Sequence, residues 1–394
     1  TMLKNAPILF FFLLIIACQK KPDIKKESTV KDIKGNVSEY AVDFAPLTTV
    51  YRKKKRDEIE AFYADKINPK DFSGSFLVAK NGEILFENYS GFAYKEKNDS
   101  IKQNTPLHVA SVSKVITAVT ILKLVDQNKL QLDDLVTSIL PEFPYKETTV
   151  RMLLSHRSGL RNYAYFTNDK GVWDKRNTLT NKDVLNLLAT KNIGLETTPG
   201  KRFSYCNTNY ALLALIVEKI TEKTFPEALQ QMIFDPLGMK NTFIFSDMAT
   251  KEEVSQSYKG NYKRLAFEYL DAVYGDKNLY TTPRDLLQFD LALYSEKFLS
   301  TKMKDEMFKG YSYERKGTRN YGLGMRMLEF ETGQKYFFHN GWWHGNTASY
   351  VTLRKDSVTI IAISNKFTRK PYQTKRLAPK FGDYPFKFND EEGE

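Results

Sequence analysis

The sequence predicts an α+β fold, in which an antiparallel sheet is built from both halves of the chain and flanked by helices, with a helical subdomain inserted between them. Strand patterns occur near both ends of the 394-residue chain, whereas helical patterns fill the interval. Such a fold leaves a cleft between the sheet and the insertion, and clefts are where ligand sites usually form.

The first two strands are predicted on either side of an Asn-Gly turn. Phe76 to Ala79 and Ile84 to Phe86 are apolar runs, and Asn81-Gly82 lies between them. Asn-Gly suits a two-residue hairpin turn because both residues tolerate a positive φ. This segment therefore predicts a β-hairpin.

The other strands are expected near the C-terminus, where apolar runs are separated by turn dipeptides. These runs are Tyr321 to Phe330, Lys335 to His339, Ala348 to Leu353 and Val358 to Ser364. Helical periodicity occupies the interval between the two groups of strands. The predicted helices are Ser111 to Gln127, Thr149 to Leu154, Lys182 to Ala189, Thr208 to Ile220, Phe225 to Ile233 and Pro283 to Tyr294.

The N-terminus has the pattern of an export signal. Lys4 precedes an apolar run from Ile8 to Ala17, which is shorter than the roughly 20 residues that a membrane-spanning helix needs. The run ends in Ile15-Ile16-Ala17-Cys18, which resembles the lipobox where bacterial lipoproteins are cleaved before a cysteine that becomes lipidated. We therefore expect Cys18 to anchor an exported protein to a membrane, facing the periplasm or cell surface. An uncleaved anchor and a plain secretory signal are the alternatives.

The formal net charge of +12 is concentrated at the ends of the chain. Eleven Lys or Arg residues face five acids between Gln19 and Arg56, and six basic residues face no acid between Lys366 and Lys380. Such basic ends suit an anionic membrane surface or an anionic cell-wall polymer, or they are solvated tails. Because no nucleic-acid-binding motif accompanies them, nucleic acid is not an expected partner.

The first motif that carries chemistry is Ser111-Val112-Ser113-Lys114. It opens a run that is apolar on nearly every face, which predicts a buried helix, and Ser111 and Lys114 share one side of its first turn. A serine needs a base to become a nucleophile, and a lysine can serve where burial favours its neutral amine. Backbone N–H groups at the helix start can also stabilise an oxyanion. The spacing alone is weak evidence, because Ser28 and Lys31 share it.

The second motif is Tyr205-Cys206-Asn207, which precedes the helix predicted from Thr208. The phenol of Tyr205 can share a proton with a lysine and pass it to a leaving group, and the amide of Asn207 can hold a substrate. Cys206 has no evident base and is the weaker candidate nucleophile. A structural aromatic loop is the alternative interpretation.

The third motif, His339-Asn340-Gly341, ends a predicted strand and is followed by Trp342. A glycine lets a substrate approach the strand edge, and the N–H of Trp342 can complete an oxyanion hole. The chain has four histidines and two cysteines, without a metal-binding spacing, so we expect no metal and no cofactor. His339 is then a polar group of the site or a core histidine.

The three motifs, in this order, resemble those of the serine β-lactamases and penicillin-binding DD-peptidases, especially the class C-like branch that includes esterases and peptidases. The resemblance covers roughly Phe72 to Lys366 and implies a β-lactamase/transpeptidase-like fold. It includes three segments outside the site, which we interpret as scaffold signatures. These segments are Leu153 to Leu160, Asp235 to Met239 and Leu279 to Pro283.

The resemblance also implies roles for the motif residues. Ser111 would be the acylated nucleophile, with Lys114 and Tyr205 as the acid/base pair. The candidate substrate-binding residues are Asn207, His339, Asn340, Gly341 and Trp342. Residues 48–366 would form the catalytic domain, with a helical insert at about 131–270. The flanking regions are predicted to be a lipoprotein signal peptide (1–17), a polar basic tether (18–47) and a polar C-terminal tail (367–394).

Two departures from the family pattern affect the expected substrate. His339 replaces a lysine that many β-lactamases have, and Asn340 replaces Thr or Ser. Because histidine is charged only part of the time at neutral pH, its attraction for a substrate carboxylate would be weaker and depend on pH. No glutamate is a secure candidate for deacylation, so water activated by Lys114 and Tyr205 is expected to release the acyl group.

The resemblance therefore implies a serine hydrolase of an ester, an amide or a D-amino acid peptide. A DD-peptidase-like or esterase-like activity is expected rather than that of a dedicated β-lactamase. The expected partner is a small-molecule or peptide substrate, with cell-wall peptides as candidates. The alternative is a module of the same fold that binds penicillin or senses the cell wall with low turnover.

Overall fold

A computed structural model of the protein describes residues 39–67, 72–386 and 388. The predicted signal peptide, Cys18 and the tether as far as residue 38 lie outside the described residues. None of the helices within these ranges combines the length and the hydropathy needed to cross a bilayer.

The two predicted groups of strands enclose most of the helices, as the sequence predicts, but an unpredicted helix precedes the first strand, a 3₁₀ helix follows the last, and short strands lie between the groups. The strands are β1 Gly74–Lys80, β2 Glu83–Ser90, β3 Phe92–Tyr94, β4 Asp99–Ser100, β5 Leu107–His108, β6 Phe243–Ile244, β7 Ser257–Tyr258, β8 Arg264–Leu265, β9 Leu279–Thr281, β10 Arg319–Tyr321, β11 Arg326–Glu329, β12 Lys335–Trp343, β13 Asn346–Leu353 and β14 Val358–Ser364. The α-helices are α1 Thr49–Phe62, α2 Ser113–Asp126, α3 Val136–Ile139, α4 Val150–Leu154, α5 Tyr163–Phe166, α6 Asn181–Thr190, α7 Asn207–Thr221, α8 Phe225–Leu229, α9 Pro283–Ala292 and α10 Thr301–Met307. A 3₁₀ turn at Ala110–Val112 and a 3₁₀ helix at Lys370–Lys380 complete the elements used below.

Seven strands form the main sheet, in the order β10-β11-β12-β13-β14-β1-β2, and all neighbours in it are antiparallel. The pairing of β1 with β14, from Gly74 opposite Ser364 to Lys80 opposite Val358, joins the N-terminal hairpin to the C-terminal meander. The prediction of an antiparallel sheet built from both chain halves and flanked by helices is confirmed.

The sheet is covered on both faces, as the alternation of side chains along β1 shows. Phe76 and Val78 lie in a core that also contains residues of α1 and of the 3₁₀ helix Lys370–Lys380. Leu77 and Ala79 point the other way, into a larger core that contains most of α2 and α7. Because both faces are buried, the inner strands are apolar at consecutive positions.

Helix α2 lies in the centre of the larger core. Twelve of its 14 residues are buried, which explains why its sequence is apolar on nearly every face. It packs against α7, and Thr117 Oγ1 ties it to the loop before β9 by donating to the backbone oxygen of Gly275 at 2.8 Å. Its predicted start at Ser111 differs from the structure, because the 3₁₀ turn occupies residues 110–112.

The predicted strand from Tyr321 to Phe330 is two strands, β10 and β11, separated by a tight bend. Gly324 in this bend has φ +79, and a Cβ built on it would lie 2.2 Å from the Cβ of Ala118 in α2. The chain therefore turns here so that its backbone can pack directly on the central helix.

The interpretation of residues 367–394 as a polar tail is wrong for the part that the structure describes. Leu377 and Ala378 are fully buried and Tyr384 nearly so, against the face of the sheet that also packs on α1. This segment contains an amphipathic 3₁₀ helix that its many Lys and Arg residues make hard to recognise in the sequence. A few apolar side chains are enough to dock the helix on the sheet.

We expect Leu377→Ala to lower the free energy of unfolding by about 2–5 kcal/mol, because it removes a buried side chain and leaves a cavity. Urea unfolding followed by circular dichroism measures the change. Lys380→Ala, on the same helix but at an exposed position, is the control and should change the stability by less than about 0.5 kcal/mol. Equal effects of the two substitutions would show that the segment is not docked.

Candidate active site

Ser111 lies in the 3₁₀ turn at the start of α2, half-exposed between two buried neighbours, Ala110 and Val112. Ala110 has φ +48, an unusual conformation for a residue with a side chain. Gly341 of β12 packs on this turn, since a Cβ built on it would lie 2.2 Å from the oxygen of Val109 and 3.1 Å from the nitrogen of Ser111. Only glycine fits there, so the strand edge and the serine are held together.

Lys114 is the second group of the site, and it is fully buried. Its Nζ donates to Ser111 Oγ at 3.0 Å and to the backbone oxygen of Asp276 at 2.8 Å. The spacing of three residues therefore places the amine against the hydroxyl, as the sequence predicts.

Tyr205 lies next to Lys114, with its ring centroid 5.1 Å from the lysine Nζ. The loop that carries it is held by His156, whose Nδ1 accepts from the N–H of Cys206 at 3.2 Å. The backbone oxygen of His156 also accepts from the N–H of Ser204 at 2.8 Å. His156 is buried, and its ring centroid lies 4.3 Å from that of Tyr205. The segment from Leu153 to Leu160, predicted only as scaffold, thus positions the tyrosine.

The other two residues of this motif differ in their environment. Cys206 is buried, and burial raises the pKa of its thiol to about 11, so the thiol stays protonated at neutral pH. Asn207 begins α7, and its Oδ1 is buried without a hydrogen-bond partner among the described residues. Because such an oxygen is costly to leave unpaired, it can accept a hydrogen bond from a substrate.

His339 is fully buried on the same side of the sheet as these groups. Its Nδ1 lies 2.8 Å from the backbone oxygen of Asn340, which makes Nδ1–H the donor, and its Nε2 lies 3.1 Å from the hydroxyl of Tyr321. Burial and then the positive charges of Arg326 and Lys114 hold the pKa of His339 well below its ordinary value of 6.5. It is therefore neutral at pH 7 and does not replace the charge of a lysine.

Asn340 and Trp342 are not brought together with Ser111 through their side chains. Successive residues of a strand point to opposite faces, so both side chains leave the face that carries His339. They line a cavity of about 500 Å³, and Trp342 is 63% exposed. Only the backbone of Trp342 follows Gly341 toward the serine.

The structure also reveals a buried polar network behind Lys114 that the sequence analysis missed. Tyr163 donates from its hydroxyl to Asp276 Oδ2 at 2.8 Å, and Lys277 donates to the Tyr163 hydroxyl at 2.6 Å. All three side chains are almost fully buried. The network holds the loop whose backbone oxygen binds Lys114, and no local spacing relates Tyr163 to residues more than a hundred positions away.

Arg326, at the start of β11, is a second residue that the sequence analysis missed. Its guanidinium carbon lies 4.6 Å from the centroid of the Tyr205 ring and 5.9 Å from that of Tyr321. No sequence pattern marks a single arginine inside a predicted strand as part of a site. Its position puts a permanent positive charge beside the tyrosine of the site.

Within the described ranges, no group of three or more His, Cys, Asp or Glu side chains is arranged to hold a metal ion. The side chains of Ser111, Lys114 and Tyr205 bring a hydroxyl, an amine and a phenol to the site.

The site consists of a serine hydroxyl that is hydrogen-bonded to a buried lysine, at the start of a central helix beside an antiparallel sheet. This arrangement is that of a serine hydrolase. The chain belongs to the Beta-lactamase family, whose model matches residues 69–379. The predicted family and its β-lactamase/transpeptidase-like fold are thus confirmed.

Two curated relatives illustrate the range of the family. Penicillin-binding protein 4* of Bacillus subtilis (strain 168) is 28% identical over 339 residues, which are 82% of this chain and 74% of that protein. Teichoic acid D-alanine hydrolase of Staphylococcus aureus is 27% identical over 287 residues, which are 70% of this chain and 66% of that protein.

Solved structures share the fold at lower identity. A penicillin-binding protein from Bacillus halodurans superimposes with a TM-score of 0.71 at 22% identity, covering 82% of this chain and 99% of that one. D-amino acid amidase from Ochrobactrum anthropi SV3 superimposes with a TM-score of 0.66 at 22% identity, covering 82% of this chain and 96% of the amidase.

The neutral state of His339 has a consequence for stability. In the unfolded chain a histidine binds a proton below about pH 6.5, whereas the folded protein keeps His339 unprotonated, so the free energy of unfolding should fall as the pH is lowered from 7 to 5. One such group contributes at most about 1.4 kcal/mol per pH unit. Chemical denaturation at a series of pH values measures this slope.

His339→Gln removes the titrating group and keeps a polar side chain, so its slope between pH 7 and 5 should be smaller than that of the wild type. Parallel slopes would mean that His339 takes up its proton equally in the folded and unfolded states.

Proposed function

We propose that this protein is an exported serine hydrolase that forms an acyl-enzyme on Ser111 and hydrolyses an ester, an amide or a D-amino acid peptide. The observation that carries the proposal is the 3.0 Å hydrogen bond between Lys114 Nζ and Ser111 Oγ at the start of α2. Through this hydrogen bond the nucleophile already contacts a candidate base, so no side chain has to move to bring them together.

Acylation begins when Ser111 gives its proton to the Lys114 and Tyr205 pair and Oγ attacks the substrate carbonyl. The backbone N–H groups of Ser111 and Trp342 stabilise the oxyanion. Tyr205 then delivers a proton to the leaving oxygen or nitrogen as its bond to the carbonyl carbon breaks. The products of this step are an ester on Ser111 and a free alcohol or amine.

Deacylation repeats these steps with water as the nucleophile. Lys114 and Tyr205 take one proton from the water as it attacks the ester, and Ser111 regains a proton when its oxygen leaves. Asn207 supports both half-reactions, because its oxygen, which has no partner in the described part of the chain, can hold an N–H of the substrate beside the serine.

A DD-peptidase-like or esterase-like role is favoured over that of a dedicated β-lactamase. His339 is buried and neutral, so the third motif lacks the positive charge that a lysine would supply. The relatives named above include one that acts on D-alanine carried by teichoic acid and a D-amino acid amidase. They make an acyl group derived from a D-amino acid the first substrate class to test.

A serine-directed probe tests the nucleophile. We expect a fluorophosphonate or a fluorescent penicillin to add one adduct to the wild-type protein and none to Ser111→Ala, as measured by intact mass. Ser138→Ala, which removes an exposed serine hydroxyl of α3, is the matched control and should label like the wild type. An equal adduct on Ser111→Ala would defeat the assignment.

The lifetime of the adduct distinguishes a hydrolase from a protein that only binds its ligand. Recovery of unmodified mass, together with turnover of short-chain esters or D-alanyl peptides, supports a hydrolase. A penicillin adduct that persists, without turnover of any of these substrates, would instead indicate a protein that binds penicillin or senses the cell wall.

We further propose that the protein is a lipoprotein, exported and anchored through Cys18. The support comes from Ile15-Ile16-Ala17-Cys18 after an apolar run. Cells that express the wild type should incorporate labelled palmitate into the protein, whereas Cys18→Ser should not. Cys206→Ser, at the other cysteine, is the control and should still be labelled. Equal labelling of Cys18→Ser would rule out this anchor.

A further inference from the structure

The loop of residues 268–278 carries the backbone oxygen of Asp276 that binds Lys114, and a buried aspartate, Asp271, lies near its start. Asp271 is 3% exposed, and its carboxylate accepts hydrogen bonds from two segments of the chain. The proposed reaction does not use this carboxylate. Its partners nevertheless connect the parts of the structure that hold the catalytic groups.

The first partners lie at the end of β12. Trp343 donates from Nε1 to Asp271 Oδ1 at 2.6 Å, and His344 Nε2 lies 3.1 Å from both carboxylate oxygens. Trp343 is two positions beyond Gly341, so its side chain lies on the same face of the sheet. The carboxylate therefore holds the end of the strand whose edge contacts the turn of Ser111.

The same carboxylate closes a turn within the loop. Its Oδ2 accepts from the N–H of Glu268 at 2.6 Å, and the N–H of Asp271 donates to the backbone oxygen of Glu268 at 3.0 Å. Farther along the loop, the Nζ of Lys277 lies 4.8 Å from the centre of the Trp343 ring. Trp343 thus contacts the loop both before and after Asp276, whose backbone oxygen binds the lysine of the site.

A second set of hydrogen bonds joins the loop to the turn of the nucleophile. Asn278 donates from Nδ2 to the backbone oxygen of Asp271 at 2.7 Å, and its Oδ1 lies 3.2 Å from His108 Nε2. His108 Nδ1 accepts from the N–H of Ala110 at 3.1 Å. Burial lowers the pKa of His108 to about 4, so the ring is neutral and its Nε2–H donates to Asn278. The residue before Ser111 is therefore tied to the loop.

The carboxylate of Asp271 is ionised at neutral pH. Burial by itself would raise its pKa, but the hydrogen bonds from His344, the N–H of Glu268 and Trp343 hold the pKa below its ordinary value. Hydrogen bonds to an ionised acceptor are shorter and stronger than those to a neutral one. Asp271 is thus a firm link between the strand and the loop.

We infer that Asp271 is a positioning residue, which sets the width of the cleft between the edge of β12 and the loop that holds Lys114. The substrate carbonyl has to reach Ser111 from this edge while the lysine keeps its contact with the hydroxyl. A displacement of about 1 Å can slow such a reaction by roughly 100-fold. The inference rests on the proposed function for the effect on rate, but not for the link, which is a property of the folded protein.

Labelling kinetics with a fluorophosphonate distinguish positioning from folding. The final extent of labelling counts the competent sites, and the rate constant measures the reactivity of each site. We expect Asp271→Ala to react roughly 10- to 100-fold more slowly than the wild type, with the same final extent. Asp271→Asn keeps an oxygen that can accept from Trp343 and should recover part of the rate. A lower final extent with an unchanged rate constant would show a merely structural role and overturn the inference.

Asp285→Ala is the matched control. Asp285 is also a buried aspartate, 6% exposed, and it accepts from the N–H of Asn241 and the hydroxyl of Thr242, both at 2.8 Å. Because these partners precede β6 and do not belong to the link, we expect this substitution to lower the stability without changing the rate constant. An equal loss of rate in Asp285→Ala would attribute the effect to any buried aspartate and contradict the inference.

The contact with the strand end can be tested separately. Trp343→Phe removes the indole N–H and keeps an aromatic ring, so it should slow labelling by less than Asp271→Ala does. If both residues act through one contact, the double variant reacts about as slowly as Asp271→Ala alone, because the effects of coupled residues are not additive. Losses of rate that multiply would mean that the two residues act independently.

Hydrogen exchange followed by mass spectrometry tests the link without catalysis. In Asp271→Ala we expect the amides of residues 108–112 and 341–345 to exchange faster than in the wild type, whereas Asp285→Ala should leave them unchanged. Wild-type protection of both segments in Asp271→Ala would overturn the inference. Failure of the proposed function looks different, because the wild type then takes up no fluorophosphonate while the exchange of both segments still depends on Asp271.

Discussion

The burial of Lys114 is the constraint on which the site depends. An amine removed from water is costly, and the protein compensates by giving it two acceptors, the hydroxyl of Ser111 and a backbone oxygen. Each acceptor needs its own support. The serine is held by the turn that Gly341 packs on, and the loop of Asp276 is held by a buried hydrogen bond from Tyr163. Much of the core around α2 can be understood as the scaffold for this one side chain.

The parts of the site that depend on local geometry could be predicted from the sequence. Ser111 and Lys114 are three residues apart on one turn, so their contact follows from helix geometry. The fold class could also be predicted, because strand patterns enclose the helical ones, although α1 and the C-terminal 3₁₀ helix were missed. Tyr205 and His339 could be associated with them only through the resemblance, since no periodicity relates such distant segments.

Other errors and omissions have physical reasons. Asn340 entered the candidate site as part of the third motif and Trp342 through its backbone N–H, and their side chains line the other face because neighbouring residues of a strand point opposite ways. Residues 367–386 were taken for a tail because their charges obscure the few apolar side chains that dock them. Arg326 and the network of Lys277 and Tyr163 depend on tertiary packing, which leaves no pattern in a single sequence.

The pairing of β1 with β14 bears on the order of events during biogenesis. These strands are neighbours in the main sheet, with only β2 beyond β1, yet nearly the whole domain separates them along the chain. Contacts so distant in sequence form slowly, and the sheet cannot close before the last strand has been synthesised. The main sheet of a nascent chain therefore stays incomplete until almost all of the chain is made, which would favour the export proposed above, because a translocation pore passes unfolded chains.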